Sequence, residues 1–136
     1  MVAASIGNSG RTMNPYLVQE IRGPDLSILQ TTEPTQFEDA LKPSNSLSLT
    51  EMLVNVVENG TGSNAQIAGV RVAGKTGTAQ TGNDSPSVAW FISFAPAAAP
   101  KVAVAVVIEE SGLAEVSGNG LAAPIAKEVM KAVLGS

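Results

Sequence analysis

Between Val70 and Ile108 the chain passes through three stretches rich in Val, Ile and Phe, and the connections between them are too short to hold a helix. Parallel strands need a crossover of a dozen residues or more, usually a helix. The three stretches are therefore expected to form an antiparallel meander. The middle one, "VAWFISFAP" from Val88, is apolar at successive positions and reads as a central strand covered on both sides. Pro96 to Pro100 makes the next turn, and "KVAVAVVIEE" has the Val and Ile content of a strand.

Helical patterns flank this meander. Ser48 to Asn59 carries an apolar stripe of Leu49, Met52, Leu53, Val56 and Val57. Ser48 and Glu51 have capping-box spacing, and Asn59-Gly60 is a stop. A last helix is expected after a loop from Gly112 to Gly120, with Asn119 as its cap and Leu121, Ile125, Val129 and Val133 on its buried face. Pro124 sits in its first turn, where a missing N–H costs least. Residues 1–9 are small and apolar with no capping residue ahead, like the tail of a helix, and Asn8-Ser9-Gly10 ends them. "NPYLVQEIRG" and "LSILQ" read as a hairpin turned at Gly23-Pro24-Asp25, and residues 31–47 as a connection. With no internal repeat and no strong linker, the expected fold class is α+β: one unit in which helices flank an antiparallel sheet.

Composition removes several kinds of chemistry. The chain has 136 residues, no Cys and no His, so thiol nucleophiles, Cys-ligated zinc and a Ser-His-Asp triad are excluded. No metal or cofactor is expected. Its net charge is −4 with 15% charged residues, which gives no basic footprint for nucleic acid. The start has neither the basic segment nor the apolar length of a signal peptide.

One stretch supports two readings. "GVRVAGKT", Gly69 to Thr76, fits the phosphate-loop pattern G-x-x-x-x-G-K-[ST]. A phosphate loop needs pliable residues between its glycines and a helix opening at the Lys-Thr. Here Val70 and Val72 favour extended backbone, and "GTAQTGNDSPS" after Thr76 cannot open a helix. No nucleotide is expected. As a strand, the stretch would put Val70, Val72 and Gly74 on one side and Arg71, Ala73 and Lys75 on the other. Lys75 then offers a point charge, Thr76 and Thr78 offer hydroxyls, and Gly77 has no Cβ to obstruct a ligand's backbone. A peptide-like ligand with a terminal carboxylate fits this set.

The longer runs make the second reading specific. "ENGTGSNAQIAGVRVAGKTGTAQ", "AWFISFAPAAAPKVAVAVVIEE" and "GNGLAAPIAKEVMKAVL" resemble the end of the transpeptidase domain of class B penicillin-binding proteins. "NSGRTMNPYLVQEIRG" resembles the segment that precedes it, so the resemblance covers nearly the whole chain, in an actinobacterial style. It implies a C-terminal portion, residues 1–136, of a serine D,D-transpeptidase domain. Lys75, Thr76 and Gly77 match the family's K-T-G motif. Thr76 and Thr78 would bind the carboxylate of a peptidoglycan stem peptide or a β-lactam, and the Thr78 backbone N–H would be an oxyanion donor. Trp90 would be core beside the cleft.

The chain departs from the family in two motifs. No Ser has a Lys three residues later, so S-x-x-K with its nucleophile is absent. The only Ser-x-Asn spacing, Ser117-Gly118-Asn119, falls after K-T-G and is expected to be coincidental. The intact protein is expected outside the cytoplasm on a membrane anchor, while the chain by itself is expected to be inactive. Sheet surface that an upstream part would cover makes self-association an expectation. The alternatives are a non-catalytic interaction fragment, or a β-lactamase or D,D-carboxypeptidase of the same superfamily.

Overall fold

In the computed structural model, which describes residues 1–80, 87–109 and 116–135, the meander is present. Strands β5 (Ala73–Ala79), β6 (Val88–Ala95) and β7 (Val102–Ile108) form an antiparallel sheet in the order β5-β6-β7. The register pairs Lys75 with Ile92, Gly77 with Trp90 and Thr78 with Ala89, then Trp90 with Val107. Glu110 and residues 112–115, part of the expected strand end and loop, lie outside the described residues, as does most of "TGNDSPS".

Paired residues in such a sheet share a face, and successive residues alternate. One face carries Thr76, Phe91 and Val106. It packs on α3 (Ala123–Leu134) and part of α2 (Pro43–Glu58) through Val57, Ala122, Ala126 and Met130. The other face carries Ala73 and Phe94 and packs on α1 (Val2–Gly7) through Ala3 and Ile6, with Val54 of α2. β6 is thus the central strand, as its composition predicts. Among the described residues, coverage of that second face is confined to one end, however, and Trp90 is 41% exposed. The expectation that Trp90 is core is corrected: Phe91, its neighbour, fills that role at 0% exposure.

The remaining strands form two ribbons. β2 (Glu20–Arg22) and β3 (Ile28–Thr31) pair as the expected hairpin. Arg11–Met13 and Gln36–Asp39 form a second antiparallel pair, β1 and β4, which puts a strand inside the supposed connection. Only the end of "NPYLVQEIRG" is a strand.

Both longer helices differ from expectation at their starts. α2 begins at Pro43, with Lys42 as N-cap in extended backbone. Pro suits this first position because its N–H would have no partner there, and it holds the residue before it extended. Ser48 therefore lies inside the helix, where its hydroxyl donates to the Ser44 carbonyl, and no capping box forms. Met52 is exposed, and Val54 and Val57 are the buried pair. α3 is preceded by a π-helical turn, Gly118–Ala122, capped by Ser117: its Oγ accepts the Gly120 N–H at 3.0 Å. Asn119 is not the cap. The predicted stripe is also displaced, because Ile125, Val129 and Val133 are exposed while Ala122, Ala123, Ala126 and Met130 are buried.

Candidate active site

β5 lies at the sheet edge: β6 pairs with it on one side, no described strand pairs with it on the other, and α2 packs against it. Its strand geometry starts at Ala73, later than Gly69. Before it, Gly69 adopts a positive φ of 76° in a turn that bridges Ile67 and Val70. That turn uses the conformational freedom of glycine. Lys75-Thr76 sits mid-strand and opens no helix, so the structural context of a phosphate loop is not formed.

Val72, just before β5, and Ala73 and Gly74 at its start are all buried. A Cβ on Gly74 would lie 2.6 Å from Phe91 Cζ, so glycine is what lets the Phe91 ring fill the core there. From Lys75 onwards the strand emerges. Lys75 and Thr78 are exposed, while Thr76 and Gly77 are half-buried. The Lys75 ammonium donates to the Thr76 carbonyl at 2.7 Å. The Thr76 hydroxyl is 3.0 Å from that of Thr61, a partner that sequence reading missed. Alternation puts Lys75 and Gly77 on the face of Trp90, and Thr76 and Thr78 on the other.

A second cation stands near the start of this strand. Arg71 is paired with Glu51 of α2 at 3.0 Å and with Glu58 at 3.5 Å. The hydrogen bond and the charge of Glu51, then those of Glu58, raise its already high pKa. That guanidinium is engaged, so Lys75 is the cation that the exposed end of β5 offers. An ammonium, two hydroxyls and a strand edge that no described strand pairs can together orient an extended ligand ending in a carboxylate. A cleft of about 520 Å³ lined by Ala4, Arg11, Phe94 and Pro100 lies at the opposite end of the sheet, by the start of β7.

The four predicted site residues are thus contiguous on one edge. No described element brings a serine-lysine pair with S-x-x-K spacing to them, as the sequence requires. Ser117-Gly118-Asn119, set aside as coincidental, does come to this strand: Gly118 lies against the backbone of Gly77.

Known proteins share this arrangement. The family model for the penicillin-binding protein transpeptidase domain matches residues 1–131. The peptidoglycan D,D-transpeptidase PbpA of Mycolicibacterium smegmatis is 46% identical over 98% of this chain and 28% of its own length. The stage V sporulation protein D of Bacillus subtilis is 32% identical over 96% of this chain and 21% of its own. Penicillin-binding protein A from M. tuberculosis, solved as a ceftriaxone acyl-enzyme complex, superposes with a TM-score of 0.92 at 45% identity. The match covers 98% of this chain and 31% of that one. The chain therefore spans less than a third of the length of these relatives, and with a matching α+β fold and a matching family model over nearly all its residues, it belongs to the penicillin-binding protein transpeptidase domain family.

Proposed function

We propose that this chain supplies the carboxylate-binding strand of a serine-type D,D-transpeptidase that cross-links peptidoglycan stem peptides and is acylated by β-lactams. The observation that carries the reading is the placement of Lys75 to Thr78 at the exposed end of an edge strand. The Thr76 carbonyl, which accepts the Lys75 ammonium, would face the side of β5 away from β6. Backbone groups alternate sides along an antiparallel strand, so Thr78, two residues on, turns its N–H to that same side. A donor held there can stabilise the oxyanion of a tetrahedral intermediate. Lys75 and the hydroxyls of Thr76 and Thr78 would hold the substrate carboxylate beside it.

The nucleophilic serine belongs to a segment outside these 136 residues. It would attack the carbonyl of the penultimate residue, expel the terminal D-alanine, whose amine takes up the proton the serine loses, and pass the acyl group to an amine. The intact protein would act outside the cytoplasm on a membrane anchor; among the described residues of this chain no helix is long and apolar enough to cross a membrane. The isolated chain would self-associate through its exposed apolar surface.

The test is a chimera in which this chain replaces the matching part of M. smegmatis PbpA. A fluorescent penicillin should label the chimera and leave the 136-residue chain unlabelled. Lys75→Ala in the chimera should slow acylation, since the charge that orients the carboxylate is gone. Thr78→Ala should cost less, because its N–H survives. Labelling of the chain alone, or equal acylation of the chimera and its Lys75→Ala variant, would defeat the reading. Rapid release of hydrolysed penicillin would point instead to β-lactamase chemistry.

A further inference from the structure

The Ser117–Leu121 turn lies against the K-T-G strand, and its fit there depends on a missing side chain. A Cβ on Gly118 would lie 2.3 Å from the carbonyl oxygen of Trp90, 3.0 Å from that of Gly77 and 3.1 Å from the Gly77 nitrogen. These are backbone atoms of one cross-strand pair, Gly77 with Trp90, so they cannot swing aside as a flexible side chain would. The Trp90 side chain points to the far face and Gly77 has none, which leaves bare peptide towards α3, and Gly118, itself buried, covers it.

Asn119 anchors the turn. Its Oδ1 accepts the Asn64 N–H at 3.0 Å, its own carbonyl accepts Asn64 Nδ2 at 3.0 Å, and its Nδ2 donates to Ser63 Oγ at 3.3 Å. The 3₁₀ turn held in this way, Ser63–Ala65, begins two residues after Thr61, whose hydroxyl meets that of Thr76. The contacts close a ring: Thr76 to Thr61, along the chain to Asn64, across to Asn119, and through Gly118 back to Gly77.

We propose that this ring fixes β5 at Gly77, and that Gly118 and Asn119 are positioning residues for the acyl transfer served by Lys75 to Thr78. The proposal rests on the reading of the site given above. Neither residue touches the reacting atoms. Both act by holding the peptide that leads into the Thr78 N–H, and an oxyanion donor works only within hydrogen-bond distance of where the charge develops.

The experiment uses the PbpA chimera with Gly118→Ala, Asn119→Ala, Asn119→Asp and Lys75→Ala. Varying the concentration of a fluorescent penicillin separates non-covalent binding from the acylation rate constant, each normalised to the fraction of sites that can be labelled. Gly118→Ala should lower the acylation rate constant about tenfold or more, since small misplacements of catalytic groups are costly in rate. Asn119→Ala should lower it by less. Asn119→Asp, which keeps the Oδ1 acceptor for Asn64, should recover most of that loss. Non-covalent binding should change little. A purely structural role would lower the labelled fraction and the melting temperature and leave the per-site rate unchanged, and that result overturns the proposal. Should Gly118→Ala not fold, an unchanged rate in Asn119→Ala overturns it equally. If Lys75→Ala slows acylation and the turn variants do not, only this proposal fails. If Lys75→Ala has no effect, the reading of the site fails first.

Discussion

The meander and the β2–β3 hairpin are built from the same residue types and end in opposite environments. In the meander Phe91 and Phe94 are at 0% and 1% exposure. In and around the hairpin Leu17 is at 103%, Leu26 at 72% and Leu29 at 67%. β2 and β3 make their main contacts with each other, whereas β6 has a strand on each side and helices on its faces. A two-stranded ribbon has no second layer on which to bury a face. Apolar content alone therefore does not make a core; a second layer of secondary structure does.

The sharpest way to break this comparison is to truncate one large residue in each region. Phe91→Ala should cost about 3–5 kcal/mol, which is near the whole stability of a small domain. Leu17→Ser should stay within about 0.5 kcal/mol, because a fully exposed side chain loses no packing. Urea denaturation of the two variants measures both. Comparable losses would mean that Leu17 is covered in solution.

The same contrast recurs within α3 on a finer scale. Met130 is fully buried and Val129, its neighbour, is 43% exposed. Met130→Lys should abolish the cooperative melt, because burying an unpaired ammonium is prohibitive. Val129→Lys should shift the melting temperature by a few degrees at most, in line with surface substitutions of roughly 0.5 kcal/mol. Equal damage from both would show that the predicted stripe, and not the alanine face, meets the sheet.

That helix also shows where sequence stops being legible. Leu121, Ile125, Val129 and Val133 stand out because large branched residues dominate any hydrophobic periodicity. The buried face is instead Ala122, Ala123, Ala126 and Met130, and small residues let a helix approach a sheet closely. Helix starts were obscured by chemistry that resembles a cap: Ser48 and Glu51 have the right spacing, but Pro43 had already begun the helix. β1 and β4 pair with each other across the whole β2–β3 hairpin, and no local pattern announces such a pair. The meander was legible because short connections leave it one topology. The candidate site residues were legible as a group because they are consecutive, so a single strand carries them together. Thr61, Gly118 and Asn119 were not, because they reach β5 only through the tertiary fold.

The exposed apolar residues of the hairpin predict a smaller, collective effect. The chain should bind a hydrophobic dye and sediment above monomer mass at high concentration. Leu17→Ser combined with Leu29→Ser should reduce both signals without moving the urea midpoint of the meander. A monodisperse, dye-negative parent chain would show that these residues find cover within one molecule.

The smallest expected effect lies at the tip of the hairpin. Asp25 Oδ1 accepts the Ser27 hydroxyl at 2.6 Å and the Ser27 N–H at 3.2 Å. These bonds, the hydroxyl's first, hold the Asp25 carboxyl below the usual carboxylate range. A folded-state pKa lowered in this way contributes stability that is present above the unfolded value and is lost as pH falls through the folded one. The tip should therefore loosen in mild acid while the meander does not. Ser27→Ala removes the hydroxyl and leaves the backbone N–H, so the Asp25 titration should move part of the way back up. Carboxyl-carbon NMR titrations of parent and variant read this directly, and amide exchange at Gly23 and Leu26, which close the turn, reads its consequence. An Asp25 that titrates identically in both proteins would mean that the Ser27 hydroxyl does not hold the turn in solution, and any pH dependence of the hairpin tip would then rest on the Ser27 N–H alone.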